Sequence, residues 1–329
     1  MAHHTVIIDT DPGIDDAMAV FYALAAPEIE VLGLTTVFGN VATDRATENA
    51  LRLLEIAHRP DIPVARGAAR PLAHDYRGAV EFVHGANGQG GAPLNPPVNR
   101  ESAKRATQFI IDTVAARPGE VTLVTLGPLT NLALVLLERP EIVREVRGVV
   151  AMGGNVHVPG NASATAEANI LNDPEAADIV LSADWPVTIC GLDVTHRITM
   201  SPDDLQRIYR IDTPVGRHLA QIVPFYHAFY EKHVGSSGIY VHDSTTISYL
   251  RHPDAFTVEQ RPLVVDTGHG IGRGKTWPVV LGDEAGRSEA ARRPPVTICL
   301  DADARRLVDE EIAVLELEAH VAGEMSGEV

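Results

Sequence analysis

Short apolar runs alternate with segments of helical period over the first 190 residues of the chain. The apolar runs have the length and β-branched content of buried strands. The segments of helical period begin near Ala17, Thr43, Ser102, Leu129 and Pro174. Strands that alternate with helices pair in parallel, because each helix carries the chain back to the same end of the sheet. The pattern therefore predicts an α/β fold with an open, mainly parallel sheet flanked by helices.

The chain has 329 residues, 45% of them hydrophobic, and no shift in composition divides it. This length is sufficient for a large buried core. We therefore expect a single domain over residues 1–329. Its C-terminal part, from about residue 255 to 329, is expected to be irregular and packed on the rest, with a closing helix from about Asp303.

The net charge of −17 disfavours two classes of partner, since it repels nucleic-acid phosphates and anionic lipid surfaces. No segment reaches the ~18 uninterrupted apolar residues of a membrane-spanning helix, and the N-terminus does not resemble a signal peptide. The two cysteines, Cys190 and Cys299, have no metal-type spacing, which fits a reduced compartment. We expect a cytoplasmic protein that binds a small molecule or another protein.

The stretch VIIDTDPGIDDAMAV contains four aspartates, Asp9, Asp11, Asp15 and Asp16, at the end of a predicted strand and the start of a predicted helix. The first two share one face of the strand, and a Pro-Gly turn brings the other two towards them. Carboxylates this close either take up protons or bind a hard cation, for which Ca²⁺ and Mg²⁺ are the candidates. The alternative is a solvated turn whose acids favour the helix N-terminus.

Two other kinds of acidic site fit less well. In an EF-hand loop counted from Asp9, the position of the glycine is Ile14 and that of the closing glutamate is Val20. Phosphatases with an aspartate nucleophile also open with a strand and D-x-D, but they place Thr or Val where this chain has Gly13. A Mg²⁺-dependent phosphohydrolase therefore remains an alternative.

Four further motifs follow in order: FGN at residues 38–40, LGPLTNLAL at 126–134, GNASATAEANILNDPEAA at 160–177 and VHD at 241–243. Together with DTDPGIDDAMA, they resemble the nucleoside hydrolase family of the inosine-uridine preferring type, over roughly residues 5–250. The resemblance implies a Rossmann-like fold, a bound Ca²⁺ and hydrolysis of the N-glycosidic bond of purine or pyrimidine ribonucleosides in nucleoside salvage. It also implies a homodimer or homotetramer.

The resemblance assigns residues to the metal and to water activation. Asp11 matches the general base, which also binds the metal, and Asp16 matches a bidentate Ca²⁺ ligand. The backbone carbonyl of Leu126 and the carboxylate of Asp243 match the remaining protein ligands. Asn40 matches the residue that orients the catalytic water.

The resemblance also assigns ribose contacts, to Asp15, Asn161, Glu167 and Asn169. From the residues alone, the last three could equally be loop and cap residues. The segment NDPEAA is itself a helix start, with a capping Asn or Asp, a proline and an acid in the first turn.

The expected contacts to the nucleobase come from two separate segments. His84, in FVHGANGQGG, and Tyr226 and Tyr230, in residues 225–240, are expected to lie beside the base, although tyrosines at helical spacing are commonly core residues. His242 is expected to have a pKa near neutrality at the mouth of the site and to protonate a departing purine. A riboside-binding protein without turnover is the remaining alternative, against which the intact acidic motifs argue.

Overall fold

The computed structural model describes residues 3–279 and 289–326. The strands are β1 (His4–Thr10), β2 (Ile29–Thr36), β3 (Val64–Arg66), β4 (Val121–Thr125), β5 (Gly148–Met152), β6 (Val187–Cys190), β7 (Thr199–Met200), β8 (Ile239–Tyr240), β9 (Phe256–Arg261), β10 (Leu263–Val265), β11 (Thr276–Pro278) and β12 (Val296–Ala302).

The α-helices are α1 (Ile14–Ala25), α2 (Thr43–Ile56), α3 (Glu81–His84), α4 (Ala106–Ala116), α5 (Thr130–Glu138), α6 (Ala168–Asn172), α7 (Pro174–Ser182), α8 (Leu192–Thr195), α9 (Pro202–Tyr209), α10 (Pro214–Phe229), α11 (Ser244–Arg251) and α12 (Ala304–Ser326). A π-helical turn, Tyr230–Val234, continues α10. None of these helices combines the length and the apolar character that crossing a membrane requires, within the described ranges.

Within the described residues, the main sheet has eight strands in the order β3-β2-β1-β4-β5-β6-β12-β9. All neighbouring pairs are parallel except β12 and β9, which are antiparallel. The prediction of a mainly parallel sheet flanked by helices is therefore confirmed. In β1, Val6 and Ile8 pack into the core on one face of the sheet, and Ile7 packs into the core on the other. This alternation buries both faces of a central strand.

The chain after residue 255 is more regular than its sequence indicates. Strands β9 and β12 join the main sheet, with β12 inserted beside β6, and α12 packs against α1, α9 and α11. The closing helix begins at Ala304, next to the predicted start at Asp303. Residues 280–288 of this part lie outside the described residues.

Two of the predicted helix starts are displaced by local hydrogen bonds. Helix α1 begins at Ile14, three residues before the predicted start, because the Asp16 carboxylate accepts a hydrogen bond from the Gly13 N–H and closes the first turn. Helix α4 begins at Ala106 rather than at Ser102. The Ser102 N–H donates to the Val64 carbonyl, which ties this segment to the edge strand β3 before the helix begins.

A buried carboxyl group links α12 to the start of α11. Glu311 is 1% exposed, and its Oε1 accepts a hydrogen bond from Ser244 Oγ at 2.8 Å. Burial raises the pKa of Glu311 from 4.5 to about 8, although the hydrogen bond from Ser244 opposes the shift. The ionised form is thus disfavoured in the folded protein.

Replacing Glu311 with glutamine is expected to stabilise the protein increasingly as pH rises. Because the folded pKa is raised, the stability contributed by the protonated group is present below about pH 4.5 and is lost as pH rises through about 8. The variant cannot ionise, so its unfolding free energy relative to wild type should grow by roughly 1.4 kcal/mol per pH unit in that window. Denaturant titrations at several pH values measure this difference, and a difference independent of pH would contradict it.

Candidate active site

The predicted site segments lie at the carboxyl edge of the main sheet, where ligands bind in open parallel sheets. Residues 11–16 follow β1, residues 38–40 follow β2, and residues 126–128 follow β4. Since these three strands are neighbours in the sheet, the segments converge. Asp243 reaches the same edge from the N-terminus of α11.

Asp16 is held at the first turn of α1 by four hydrogen bonds. Its Oδ1 accepts from Thr10 Oγ1 at 2.5 Å and from the Asp11 N–H at 3.2 Å. Its Oδ2 accepts from the Gly13 N–H at 2.9 Å and from Asn40 Nδ2 at 2.9 Å. The carboxylate therefore has a single orientation before any ligand binds.

Asp11 is fully buried, and backbone surrounds its carboxylate. Its Oδ2 accepts a hydrogen bond from the Asn40 N–H at 2.6 Å, whereas its Oδ1 has no partner within the described structure. A Cβ atom at Gly39 would overlap Oδ2, and one at Gly127 would overlap Oδ1. Glycine is therefore required at both positions for Asp11 to adopt this orientation.

Three carboxylates form a cluster that could hold a metal ion. One oxygen each from Asp15, Asp16 and Asp243 lies within 4.8 Å of the others. Burial and the charges of Asp15 and Asp16 raise the pKa of Asp243 well above its usual range, and burial and the charge of Asp16 do the same for Asp11. Oδ1 of Asp15, like Oδ1 of Asp11, is buried without a partner in the described part of the chain. An oxygen-rich, negatively charged centre with unpaired acceptors fits a hard divalent cation.

Leu126 and Asn169, predicted as a metal ligand and a ribose contact, touch each other. The Leu126 carbonyl accepts a hydrogen bond from Asn169 Nδ2 at 2.7 Å, which leaves its second lone pair available. Asn169 Nδ2 also donates to the Met152 carbonyl at 3.2 Å. The Asn169 side chain is thus anchored to the ends of both β4 and β5.

The other two predicted ribose residues lie on the segment that leads into α6. Glu167 caps this helix: its Oε1 accepts from the Asn169 N–H at 2.8 Å and its Oε2 from the Ile170 N–H at 3.1 Å. Oε2 also accepts from the Gly154 N–H at 2.9 Å. Asn161 is exposed, with its Oδ1 accepting from the Ala168 N–H at 3.0 Å. Glu167 therefore has the capping role that the sequence allowed.

His84 lies inside the site. Its Nδ1 accepts a hydrogen bond from the Ile14 N–H at 3.2 Å and lies 3.7 Å from Asp15 Oδ1. Its ring stacks on Tyr226 with centroids 5.6 Å apart. Burial lowers the pKa of His84 to about 4, against the opposing charge of Asp16, so the ring is neutral and carries its proton on Nε2.

Hydroxyl groups and one imidazole form a continuous row of hydrogen bonds that ends at Asp15. The Tyr226 hydroxyl donates to Asp15 Oδ2 at 3.0 Å and lies 3.2 Å from the Tyr230 hydroxyl. The Tyr230 hydroxyl lies 3.0 Å from His242 Nε2, and Thr195 Oγ1 lies 2.8 Å from His242 Nδ1. Because each hydroxyl has one proton, Tyr230 donates to Tyr226, His242 Nε2–H donates to Tyr230, and Thr195 donates to Nδ1.

The expectation of a near-neutral pKa for His242 is wrong. The residue is 7% exposed, and burial, with smaller contributions from His196 and His84, lowers its pKa to about 3. Both ring nitrogens are occupied by hydroxyl groups, so His242 is a neutral member of the row of hydrogen bonds.

Several residues that contact the site carboxylates or their hydrogen-bond partners were not predicted from the sequence. Thr10 lies within the DTDPGIDD motif, and its position between Asp9 and Asp11 was a usable signal for the hydrogen bond that it donates to Asp16. Gly39 and Gly127 also lie within recognised motifs, but their proximity to Asp11 requires tertiary structure. Thr195 and Tyr76, whose hydroxyl donates to the Gly39 carbonyl, lie in segments without any recognised motif, so no local pattern predicted them.

Comparison with known proteins agrees with this geometry. A sequence model of the family described as inosine-uridine preferring nucleoside hydrolase matches residues 6–309. Uridine nucleosidase 1 of Arabidopsis thaliana is 43% identical over 274 residues, which cover 83% of this chain and 81% of that protein. The inosine-uridine preferring nucleoside hydrolase of Leishmania major is 39% identical over 273 residues, which cover 82% of this chain and 86% of that protein.

Solved structures give the same result. A plant nucleoside hydrolase has a TM-score of 0.92 and 36% identity, and the alignment covers 95% of this chain and 99% of the plant chain. The chain therefore belongs to the inosine-uridine preferring nucleoside hydrolase family and is a hydrolase of ribonucleosides.

Proposed function

We propose that this protein hydrolyses the N-glycosidic bond of ribonucleosides to ribose and free base and that it requires Ca²⁺. The observation that carries the metal requirement is the pair of buried, unpaired oxygens, Asp11 Oδ1 and Asp15 Oδ1, beside the cluster of Asp15, Asp16 and Asp243. A buried carboxylate without a partner is costly unless a cation or a proton compensates it.

The residues that would hold the cation are Asp11, Asp16, the Leu126 carbonyl and Asp243. All four offer oxygen, which excludes a soft-metal site. Ca²⁺ accepts six to eight oxygen ligands, so positions would remain for substrate hydroxyls and water, whereas Mg²⁺ requires a stricter octahedron. When bound, Ca²⁺ supplies the positive charge that neutralises the carboxylates and makes a nearby water a stronger acid.

Different side chains of the protein then carry out the separate steps of the reaction. Asp11 takes the proton of the attacking water, and Asn40, whose side chain is fixed on Asp16 Oδ2, orients that water. Positive charge develops on the ribose ring as the glycosidic bond lengthens. The carboxylate of Glu167 and the amide oxygen of Asn169 stabilise this charge, while Asp15 binds a ribose hydroxyl.

Negative charge develops on the departing base. The row of hydroxyl groups stabilises this charge by donating hydrogen bonds. Asp15 Oδ2 accepts a hydrogen bond from the Tyr226 hydroxyl. When Asp15 instead accepts a ribose hydroxyl, the Tyr226 O–H is free to donate to the base. Tyr230 and His242 polarise that O–H through consecutive hydrogen bonds.

Replacing His242 with alanine is expected to lower inosine turnover about tenfold more than uridine turnover, a difference of ~1.4 kcal/mol. The substitution removes the donor to the Tyr230 oxygen, and a departing purine depends more on donated hydrogen bonds than uracil, whose carbonyls delocalise its charge. Steady-state kinetics with both nucleosides measure the ratio, and the Ca²⁺ content of the variant is the control. Equal losses for both substrates would assign His242 to a purely structural role.

Uridine and inosine are the substrates to test first, since both nucleosides occur in the names of the relatives. Chromatography of the bases released from a nucleoside panel is the deciding experiment. Release of phosphate from nucleotides without free base would instead support the phosphohydrolase. Saturable binding of nucleosides without product would support a binding protein.

The proposal also covers the cellular location, the physiological role and the oligomeric state of the protein. The Sγ atoms of Cys190 and Cys299 lie 4.0 Å apart in a fully buried position as free thiols, which supports a reducing compartment such as the cytoplasm. There, hydrolysis of nucleosides to ribose and free base would serve nucleoside salvage. A homodimer or homotetramer and a single cooperative domain complete the proposal. Light scattering and calorimetry would test these last two points.

A further inference from the structure

Tyr76 lies next to the site at the carboxyl edge of the main sheet but belongs to none of the recognised motifs. It is partly buried in the irregular segment between β3 and α3, and its ring packs against Phe38 with centroids 5.4 Å apart. Its hydroxyl donates a hydrogen bond to the Gly39 carbonyl at 2.9 Å. The charge of Asp11 contributes to a raised pKa of Tyr76, after burial, which indicates that the two groups are close.

The Gly39 carbonyl and the Asn40 N–H belong to one peptide group. They point in opposite directions because the peptide is planar and trans. The carbonyl accepts from Tyr76, and the N–H donates to Asp11 Oδ2 at 2.6 Å. A donor on the carbonyl polarises the peptide and makes its N–H a stronger donor. The Tyr76 hydroxyl and the Asp11 carboxylate are therefore coupled across a single peptide.

The peptide groups on either side have other partners. The Gly39 N–H donates to the Val41 carbonyl at 3.0 Å, and the Asn40 carbonyl accepts from the Val80 N–H at 3.0 Å. Since Gly39 has no side chain to restrict its rotation, the orientation of the middle peptide depends on its own two hydrogen bonds. One of these two is the bond from Tyr76.

We propose that Tyr76 is a positioning residue for Asp11, acting through the Gly39–Asn40 peptide group. This inference rests on the proposed function, in which Asp11 is the base. The same peptide places the Asn40 side chain on Asp16 Oδ2, so its orientation affects two of the carboxylates that would hold Ca²⁺. Tyr76 thereby acts on catalysis and on metal affinity without touching either substrate or metal.

The test is Tyr76→Phe, which keeps the ring against Phe38 and removes the hydroxyl. We expect kcat for uridine to fall about threefold to tenfold with KM unchanged, the usual effect of one lost hydrogen bond. The dissociation constant for Ca²⁺, measured by competition with a chromophoric chelator, should rise by a similar factor. Tyr209→Phe is the matched control, since the Tyr209 hydroxyl has no hydrogen-bond partner among the described residues, and it should change neither quantity.

Three results would overturn the inference. An unchanged kcat with unchanged Ca²⁺ affinity would show that the peptide holds its orientation without Tyr76. A raised KM with unchanged kcat would show that Tyr76 contacts the substrate instead. A loss of both quantities together with a lowered melting temperature, also produced by Tyr209→Phe, would show a general loss of folding. If wild type hydrolyses no nucleoside, the proposed function fails, and the Ca²⁺ measurement alone still decides whether Tyr76 positions the carboxylates.

Discussion

Asp11→Asn is expected to lower kcat by roughly 10²- to 10⁴-fold, the range typical of losing a general base. The amide has the shape of the carboxylate and retains one ligand oxygen, but it cannot accept a proton from water. Binding of ribose should survive, because the substitution leaves Asp15 and Glu167 in place. Steady-state kinetics with uridine and a competition assay with free ribose measure the two effects.

The matched control for Asp11→Asn is Asp112→Asn, which changes a half-buried carboxylate on α4, outside the segments that form the candidate site. It should leave kcat within experimental error of wild type. An Asp11→Asn variant with at least a third of wild-type activity would show that another group activates the water.

Removal of Ca²⁺ by prolonged chelation is expected to abolish activity and to lower the melting temperature by roughly 6 °C. An ion present at about a thousand times its dissociation constant stabilises the folded state by about 4 kcal/mol, and the unfolding entropy of a chain of this length converts that into a few degrees. Without the ion, Asp11, Asp16 and Asp243 repel one another in a buried site. Elemental analysis, calorimetry and activity assays on the same chelated sample measure the effect.

Added Ca²⁺ should restore both quantities to the chelated protein, and Mg²⁺ should restore less. Asp243→Ala provides the comparison, because it removes one member of the cluster and should abolish the difference in melting temperature between the loaded and the chelated protein. Fully active protein that contains no divalent ion would contradict the proposed metal requirement.

The parts of the fold that the sequence predicted correctly are those encoded locally. Strands β1 to β6 and helices α1, α2, α4, α5 and α7 follow from apolar runs and helical periods, and the turn before α1 follows from its Pro-Gly pair and its acids. The short helices α3 and α6 were not predicted. Strand β12 joins the sheet beside β6, although more than a hundred residues separate the two along the chain. No local pattern specifies such a pairing, so the C-terminal part was predicted as irregular.

In the candidate site, too, only the features encoded by nearby residues could be predicted from the sequence. The carboxylates of DTDPGIDD are close in sequence, so a cation site could be predicted from spacing and charge. The pKa of His242 could not be predicted, because it depends on burial by Thr195 and Tyr230 from separate elements. Tyr76 was missed because its partner, Gly39, is 37 residues away and the contact involves only a backbone carbonyl.

Backbone, rather than neighbouring side chains, encloses Asp11: Gly39 and Gly127 lie against its two oxygens, and the Asn40 N–H holds one of them. The proposed surroundings of the base are different, since His84, Tyr226 and Tyr230 contact one another through side chains carried by α3, α10 and the π-helical turn. On this proposal, substitutions in those segments change which base is preferred, while Asp11, the proposed proton acceptor, stays in place. In such an architecture, different segments of the chain determine reactivity and base selectivity. Substrate preference can therefore change in evolution while the catalytic residues stay the same.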